Sequence, residues 1–271
     1  MVIDTHMHTT LCGHAVGKPE EYVEEAARKG LGLVTFTCHV PIEPDVIFGG
    51  PGIRMRRKQL KDYRRMVDRA RDRGEALGVE VLCGIEAEVF PDPDAMARME
   101  EVLREQAFDF VLGSLHHQLE GYRDWLDWQD IFEDRDIIRT YFQHLTEGVR
   151  SRLYDSIAHP DVIRIYGTVE PFPPEDYQTE IEAFLDALVE NDHCMEVNSS
   201  GLIKGVFEAH PAPKILDWAA SRGVKLTLGS DAHAPEQVGQ YFDEVRAMLM
   251  EKGFKTLHYF KERKRTEVPL P

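Results

Sequence analysis

The stretch Val2-Ile3-Asp4-Thr5-His6-Met7-His8 begins as an apolar, β-rich run and ends in two histidines. On a β-strand, residues two apart point the same way, so His6 and His8 leave one face together with Asp4. Two imidazoles on one face can hold one divalent metal ion. The same pattern recurs along the chain in the runs Leu31 to His39, Val79 to Glu88, Phe108 to His116, Ser156 to His159, Cys194 to Ser199 and Val224 to His233. Each carries apolar residues early and ends in or beside a His, Glu, Asp or Asn. Helical patterns alternate with them: Pro19 to Lys29, Arg54 to Leu77, Pro93 to Glu105, Arg135 to Leu153, Pro174 to Glu190, Ala212 to Ser221 and Pro235 to Lys252. Several carry Pro in the first turn, and Gly30, Gly78, Gly223 and Gly253 follow the last turns.

Strand and helix in alternation predict parallel strands. Closing such a sheet into a barrel gathers every strand C-terminus on one face, whereas an open sheet spreads them along an edge. The convergence of so many ligand-type residues favours an α/β fold, a TIM-like barrel built on these seven runs with a metal site at the C-terminal ends of its strands. No Ser/Gly-rich linker interrupts the rhythm, so residues 1–271 are expected to form a single barrel domain.

The 271 residues are 42% hydrophobic and 30% charged, ordinary values for a globular chain able to build its own core. Against 48 Asp and Glu stand 32 Lys and Arg, a net charge of −16 that disfavours phosphate-backbone binding, so nucleic acid is not an expected partner. No run of apolar residues is long enough to span a membrane and no export signal opens the chain, which predicts a cytoplasmic protein. Nothing in the sequence specifies an oligomeric state. Cys12, Cys38, Cys83 and Cys194 are far apart, with no paired spacing, and the first three read as packed thiols rather than extra ligands. Charge is unevenly spread: between Arg54 and Arg73 ten basic residues stand against three Asp. That segment is read as a solvated helix face, with an anion-steering rim as the sharper alternative. Gly49-Gly50-Pro51-Gly52, just ahead of it, reads as a loop shaping a substrate pocket.

Of 12 histidines, six sit at the ends of these runs. The metal-ligand candidates are His6, His8, His14, His39, Glu86, His116, His159, Asp231 and His233. One catalytic zinc needs three or four ligands, so this set implies two or three divalent ions, with zinc, iron and manganese all compatible. His144, His193, His210 and His258 read as packed residues, and His117 faces away because its neighbour His116 faces in. Tyr122, Trp125 and Trp128 read as packing aromatics.

These residues carry a resemblance. Asp4-Thr5-His6-Met7-His8-Thr9, Cys12-Gly13-His14, Phe36-Thr37-Cys38-His39, Gly84-Ile85-Glu86, Gly113-Ser114-Leu115-His116, Ala158-His159 and Gly229-Ser230-Asp231-Ala232-His233 resemble the polymerase and histidinol phosphatase (PHP) superfamily in order and spacing. Leu11-Cys12-Gly13-His14 and Asn198-Ser199-Ser200-Gly201-Leu202 are most similar to its histidinol-phosphate phosphatases. The resemblance implies a distorted (β/α)7 TIM-like barrel with a trinuclear site in which His6, His8, Glu86 and Asp231 hold one metal. Glu86 bridges to a second, held by His116 and His159, and His14, His39 and His233 hold the third. Glu86, Asp231 and His233 are then the catalytic residues. Two positions depart from the family pattern: Cys38 stands where an acid usually precedes the second-strand histidine, and Ile203-Lys204 follow Asn-x-x-Gly-Leu where an arginine is usual. Arg164, Lys204 and Asn198 are the expected substrate contacts, with Arg164 the stronger phosphate anchor because its fork of donors is fixed.

The implied activity is metal-dependent phosphomonoester hydrolysis, L-histidinol phosphate being the expected substrate, by in-line attack of hydroxide without a covalent intermediate. No Gly-x-Ser-x-Gly elbow or Walker-type loop offers a serine-hydrolase or nucleotide-triphosphatase reading. An amidohydrolase commonly bridges its metals with a strand-end lysine, and no run ends in Lys. A PHP-type nuclease and an inert metal-binding module remain as alternatives, the first opposed by the acidic charge and the second by the full ligand set.

Overall fold

A computed structural model describes residues 1–42 and 54–270. In it β1 (Val2–Met7), β2 (Leu31–Phe36), β3 (Glu80–Glu88), β4 (Phe110–Ser114), β5 (Ser156–Ile157), β6 (Cys194–Asn198) and β7 (Lys225–Gly229) form one sheet in sequence order, every neighbouring pair parallel. The sheet curls until its edges meet: Met7 bridges Ala232, His8 N donates to the Ala232 carbonyl at 2.9 Å, and Thr5 Oγ1 donates to the Leu228 carbonyl at 3.0 Å. The result is a nearly closed barrel. Its strands are apolar runs because both faces are covered, one by the barrel interior and one by helices. Ile3, Met7, Leu33, Val34, Phe36, Ile85, Ile157, Val197 and Leu228 are all fully buried. Burying a side chain of this size contributes about 1.5–3 kcal/mol.

The helices follow from amphipathic spacing and local punctuation. They are α1 (Pro19–Arg28), α2 (Leu60–Leu77), α3 (Pro93–Arg104), α4 (Glu120–Trp128), α5 (Asp134–Ser151), α6 (Gln178–Glu190), α7 (Pro213–Arg222) and α8 (Phe242–Glu251). Asp92 caps α3 by accepting from Ala95 N at 2.7 Å, and Gly78 ends α2 with a φ of 73° that a side chain would resist. In α2, Leu60, Tyr63, Val67, Ala70 and Gly74 make the buried stripe. The Tyr63 hydroxyl lies 2.8 Å from the carbonyls of both Phe36 and Gly84, which ties α2 to β2 and β3. Among the described residues no helix is long and apolar enough to cross a membrane.

Several expectations shift. The basic segment becomes helical only at Leu60, after a 3-10 turn over Arg57–Gln59. Gly49-Gly50-Pro51-Gly52 lies outside the described residues. The prolines at 174 and 235 open 3-10 turns, with α6 and α8 starting later. Helix α4 and an antiparallel hairpin, β8 (Thr256–Lys261) with β9 (Lys264–Pro269), are additions to the elements expected from sequence. The hairpin packs through Phe260, whose ring stacks 5.3 Å from that of Phe110. Of the aromatic trio in α4, Tyr122 is buried and Trp125 half-buried, but Trp128 is 64% exposed.

Candidate metal centre

The strand-end residues meet at one mouth of the barrel. His6 is on β1 and Glu86 on β3; His8, His39, His116, His159, Asp231 and His233 lie just past their strands, where the chain has begun to turn. His159 and Asp231 turn with positive φ, 22° and 53°, a backbone strain that surrounding structure must hold. Glu86 is central. Its Oε1 lies 3.1 Å from His159 Nε2 and 3.5 Å from His116 Nε2, and its Oε2 lies 2.6 Å from His39 Nδ1 and 3.6 Å from the Nε2 atoms of both His6 and His8. Asp231 Oδ1 stands 3.1 Å from His8 Nε2 and 3.6 Å from His6 Nε2.

Two carboxylates that sequence reading did not single out orient these rings. Glu196 on β6 accepts from His6 Nδ1 at 2.7 Å and from His159 N at 2.9 Å. Glu88 on β3 accepts from His116 Nδ1 at 2.8 Å and from His116 N at 2.7 Å, and Arg54 Nη2 donates to it at 2.5 Å. Each carboxylate accepts the hydrogen bond from Nδ1–H, which keeps the proton on Nδ1 and leaves the Nε2 lone pair facing the centre. Glycine at 229 is required by this packing, because a Cβ there would collide with the Glu196 carboxylate and the His6 side chain. The one sequence signal for both acids was their place among the strand-end polar residues, Glu88 two after Glu86 and Glu196 two before Asn198.

The electrostatics are those of opposed buried charges. Burial by itself would push His6 down, but Glu196, Glu86 and Asp231 outweigh it and hold the ring well above its ordinary value. Burial pushes His39 well below the usual range and brings His233 down to about 4. Burial disfavours the carboxylates of Glu86 and Asp231, yet both stay well below the usual range, Glu86 because His39, His6 and His116 face it and Asp231 because Lys204 and His6 do.

The donor set fits divalent cations. His6 Nε2 and His8 Nε2 point at each other across 3.1 Å between two carboxylates. Glu86 Oε2 and His39 Nδ1 approach closely without the alignment of a hydrogen bond, and neither they nor the buried His233 Nε2 has a hydrogen-bond partner. A cation between such atoms satisfies lone pairs that a proton leaves facing one another. Donor atoms within 4.8 Å of one another fall into the groups His6, His8 and Asp231; His39, Glu86 and His116; His8, His39 and His233; Cys12, His14 and His233; and His8, Cys12 and Cys38. Of the expected third triad, His39 and His233 share a group with His8, and His14 and His233 share one with Cys12, so His233 is common to both.

The remaining histidines behave as packing residues. His117 is buried against the rings of Tyr141 and Tyr166, and burial brings it down to about 3. His144 bonds the Tyr122 hydroxyl at 3.0 Å, and His258 Nδ1 donates to the Leu226 carbonyl at 3.2 Å. His210 Nδ1 donates to Asp161 at 2.6 Å.

A cavity of about 440 Å³ opens over the centre, lined among others by Gln118, Tyr166, Ile203, Lys204, Gln237 and Gln240. Of the expected substrate contacts, the fold brings Lys204 to this wall. Its Nζ donates to Ser200 Oγ at 2.8 Å and lies 3.3 Å from Asp231 Oδ2. Arg164 is not brought there: it ends the 3-10 turn Val162–Arg164, and its guanidinium is held by Asp161 at 2.9 Å and Glu208 at 2.7 Å. Asn198 does not line the cavity. It is fully buried, donating from Nδ2 to Glu196 at 3.0 Å and accepting from Ser200 N at 2.9 Å, so it supports the carboxylate behind His6 and caps the turn that carries Lys204. Of the basic segment Arg54 to Arg73, Arg54 reaches Glu88 beside His116, whereas Arg69 pairs with Glu20, Arg73 with Glu24, Arg65 with Asp62, Arg71 with Asp68 and Arg57 with Glu105.

Comparison with known proteins gives the same picture. Residues 4–200 match the PHP domain family and residues 212–251 the PHP-associated family. A Deinococcus radiodurans protein named as a probable histidinol-phosphatase is 33% identical over 260 residues, 94% of this chain and 95% of its own. A Schizosaccharomyces pombe protein of the same name is 26% identical over 278 residues, 95% of this chain and 89% of its own. Among solved structures, the histidinol phosphate phosphatase of Lactococcus lactis, complexed with zinc, L-histidinol and phosphate, has the same fold, with a TM-score of 0.80 over 98% of both chains at 19% identity. With its strand-end ligand set gathered at one mouth and the family match running through most of its length, the chain belongs to the PHP domain family.

Proposed function

We propose that this protein is a metal-dependent phosphomonoesterase that hydrolyses L-histidinol phosphate to L-histidinol and phosphate. The observation that carries the reading is the buried cluster of imidazoles and carboxylates on the floor of a cavity with one lysine on its wall. The name of the Deinococcus relative, similar over nearly its whole length, supports the substrate. Residues 1–271 act as one barrel domain, supported by a hydrophobic cluster that draws on β1 through β9.

The centre holds three divalent ions in this reading, zinc, iron or manganese. His6, His8, Glu86 and Asp231 serve the first; Glu86, His116 and His159 the second; His14, His39 and His233 the third. Such ions supply Lewis acidity, which neutralises phosphoryl oxygens and acidifies water at neutral pH. The chain's residues do the positioning. Glu196 and Glu88 keep the His6 and His116 rings in one tautomer. Lys204 Nζ, steadied by Ser200, donates to a phosphoryl oxygen in place of the family's arginine. Gln118, Tyr166 and Gln240 present hydrogen-bonding groups to the alcohol portion of the ester. The substrate is a dianion, and among the described wall residues Lys204 is the cation that attracts it, without holding the product phosphate as a cluster of arginines does.

The test is turnover of histidinol phosphate beside sugar phosphates, amino-acid phosphates and nucleotides, with metal content measured on the same preparation. A preference for histidinol phosphate above about tenfold in kcat/KM, about 1.4 kcal/mol, is expected. Equal turnover across the panel leaves a phosphomonoesterase of another specificity, and no turnover with metal present removes the reading.

A further inference from the structure

Cys12 is buried at the edge of the centre, and nothing in the catalytic reading uses it. It ends a 3-10 turn, Thr10–Cys12, that follows β1 and is capped by Thr9. Gly13 then takes a φ of 82°, a left-handed turn that brings Cys12 and His14 back toward the same point. His14 Nδ1 donates to the Cys12 carbonyl at 3.1 Å, and His233 Nδ1 donates to the Asp231 carbonyl at 2.8 Å. Both rings are thereby fixed with the Nε2 lone pair free, and His233 Nε2 is buried with no partner. The two ring centroids are 4.4 Å apart, and the Cys12 sulfur completes a group of three donors within 4.8 Å of one another. Zinc ligands at about 2.0–2.3 Å from the ion lie roughly 3.3–3.8 Å from each other, so small side-chain rotations close this group on a metal.

Resting on the reading that the mouth binds metal, we propose that the Cys12 thiolate, with His14 and His233, ligates the ion on the outer side of the centre. Ligation releases the thiol proton to solvent. A set of one cysteine and two histidines leaves one position open, as catalytic zinc sites do, and a soft thiolate selects zinc over manganese or magnesium. Cys12 then takes the place of His39 in the third set, and His39 serves the ions nearer Glu86, where its Nδ1 lies. Cys38 is a different case although its sulfur lies within 4.8 Å of Cys12 and His8 donors. That sulfur accepts from Thr9 Oγ1 at 3.3 Å and donates to the Thr9 carbonyl at 3.7 Å, which makes it a packed thiol.

Cobalt(II) loaded into the whole protein in place of the native ion tests this without reference to turnover, because thiolate-to-cobalt charge transfer absorbs in the near ultraviolet. The band is expected in the wild type and in Cys38→Ser and Cys83→Ser, and is expected to vanish in Cys12→Ser with about one ion fewer per chain. Should Cys12→Ser fail to fold, His14→Ala, at an exposed side chain, should weaken or shift the same band. In zinc and manganese competition, Cys12→Ser should lose at least about tenfold of the preference for zinc. Cobalt bound without a charge-transfer band, a band that survives Cys12→Ser, or a band abolished by Cys38→Ser overturns the assignment. A protein that binds no cobalt at all refutes the metal reading itself, whereas a thiolate band in a protein inactive on histidinol phosphate refutes only the substrate.

Discussion

Two regions of this chain are dense in charge, and they are built in opposite ways. Along α2 and the turn before it, basic side chains are exposed, and most are answered by a carboxylate on the same helix, on α1 or just after α3. At the mouth of the barrel, imidazoles and carboxylates are buried, and Glu86 Oε2, His39 Nδ1 and His233 Nε2 are left without hydrogen bonds. Exposed pairs of the first kind contribute about 0–1 kcal/mol each and do little besides keep the surface wet. Buried polar atoms without partners cost about 1–3 kcal/mol apiece, and a cluster of ligand-type atoms left facing one another at a cavity floor is what a bound cation relieves. Charge density in a sequence therefore marks a site only when tertiary packing buries it and leaves it unsatisfied.

The largest expected effect falls on the carboxylates at the mouth. Glu86→Gln or Asp231→Asn should lower kcat/KM at least about a thousandfold, about 4 kcal/mol, and reduce bound metal, while circular dichroism stays that of the wild type. Wild-type rate and metal content in both variants would break the contrast at its strong end.

The rim between the regions gives the next test. Lys204→Ala should lower kcat/KM about 10–100-fold with metal retained. Arg164→Ala should affect turnover less and stability more, by about 1–3 kcal/mol, since it strips a partner from buried Asp161. A greater kinetic loss in Arg164→Ala than in Lys204→Ala would restore the anchor that the sequence pattern suggested. Ile203→Arg, which returns the family's arginine to a side chain on the cavity wall, should raise efficiency on histidinol phosphate.

Buried histidine without facing carboxylates sharpens the comparison. Burial brings His144 from 6.5 down to about 4. The unfolded chain then binds the proton between those values and the folded chain does not, so this contribution to stability is present above pH 6.5 and is lost as pH falls toward 4. Between pH 7 and pH 5 the wild type should lose on the order of 1–2 kcal/mol more than His144→Gln in urea unfolding. Parallel losses in the two proteins would show that His144 is not the group responsible. The smallest effect is expected on the outer helix: Arg69→Ala and Arg73→Ala should leave kcat/KM within about twofold and stability within about 0.5 kcal/mol. A tenfold kinetic loss in either would make α2 a steering surface after all.

Much of this molecule is legible in one dimension because parallel barrel strands are apolar along their length and polar where they end. That periodicity located β1 to β7 and, through their last residues, the cluster of His6, His8, His39, Glu86, His116, His159, Asp231 and His233. Helix α4 escaped because nine residues carry too few turns to display a period. The orienting acids escaped because their partners are distant in the chain: Glu196 lies 190 residues from His6, and Glu88 lies 28 from His116. A sequence shows which side chains can donate or accept, but which pairs form is set by strands brought side by side. The same limit governed the cations. Arg164 and Lys204 look alike as basic residues following strands, and only packing decides that Asp161 and Glu208 hold the first while the turn capped by Asn198 lifts the second to the cavity wall. Sequence by itself determined the barrel and the ligand-bearing strand ends, since hydrophobic periodicity and residue chemistry are local. The tertiary structure alone decided which polar groups are spent on one another and which stay free for a ligand, because hydrogen bonds and ion pairs are settled by proximity in space.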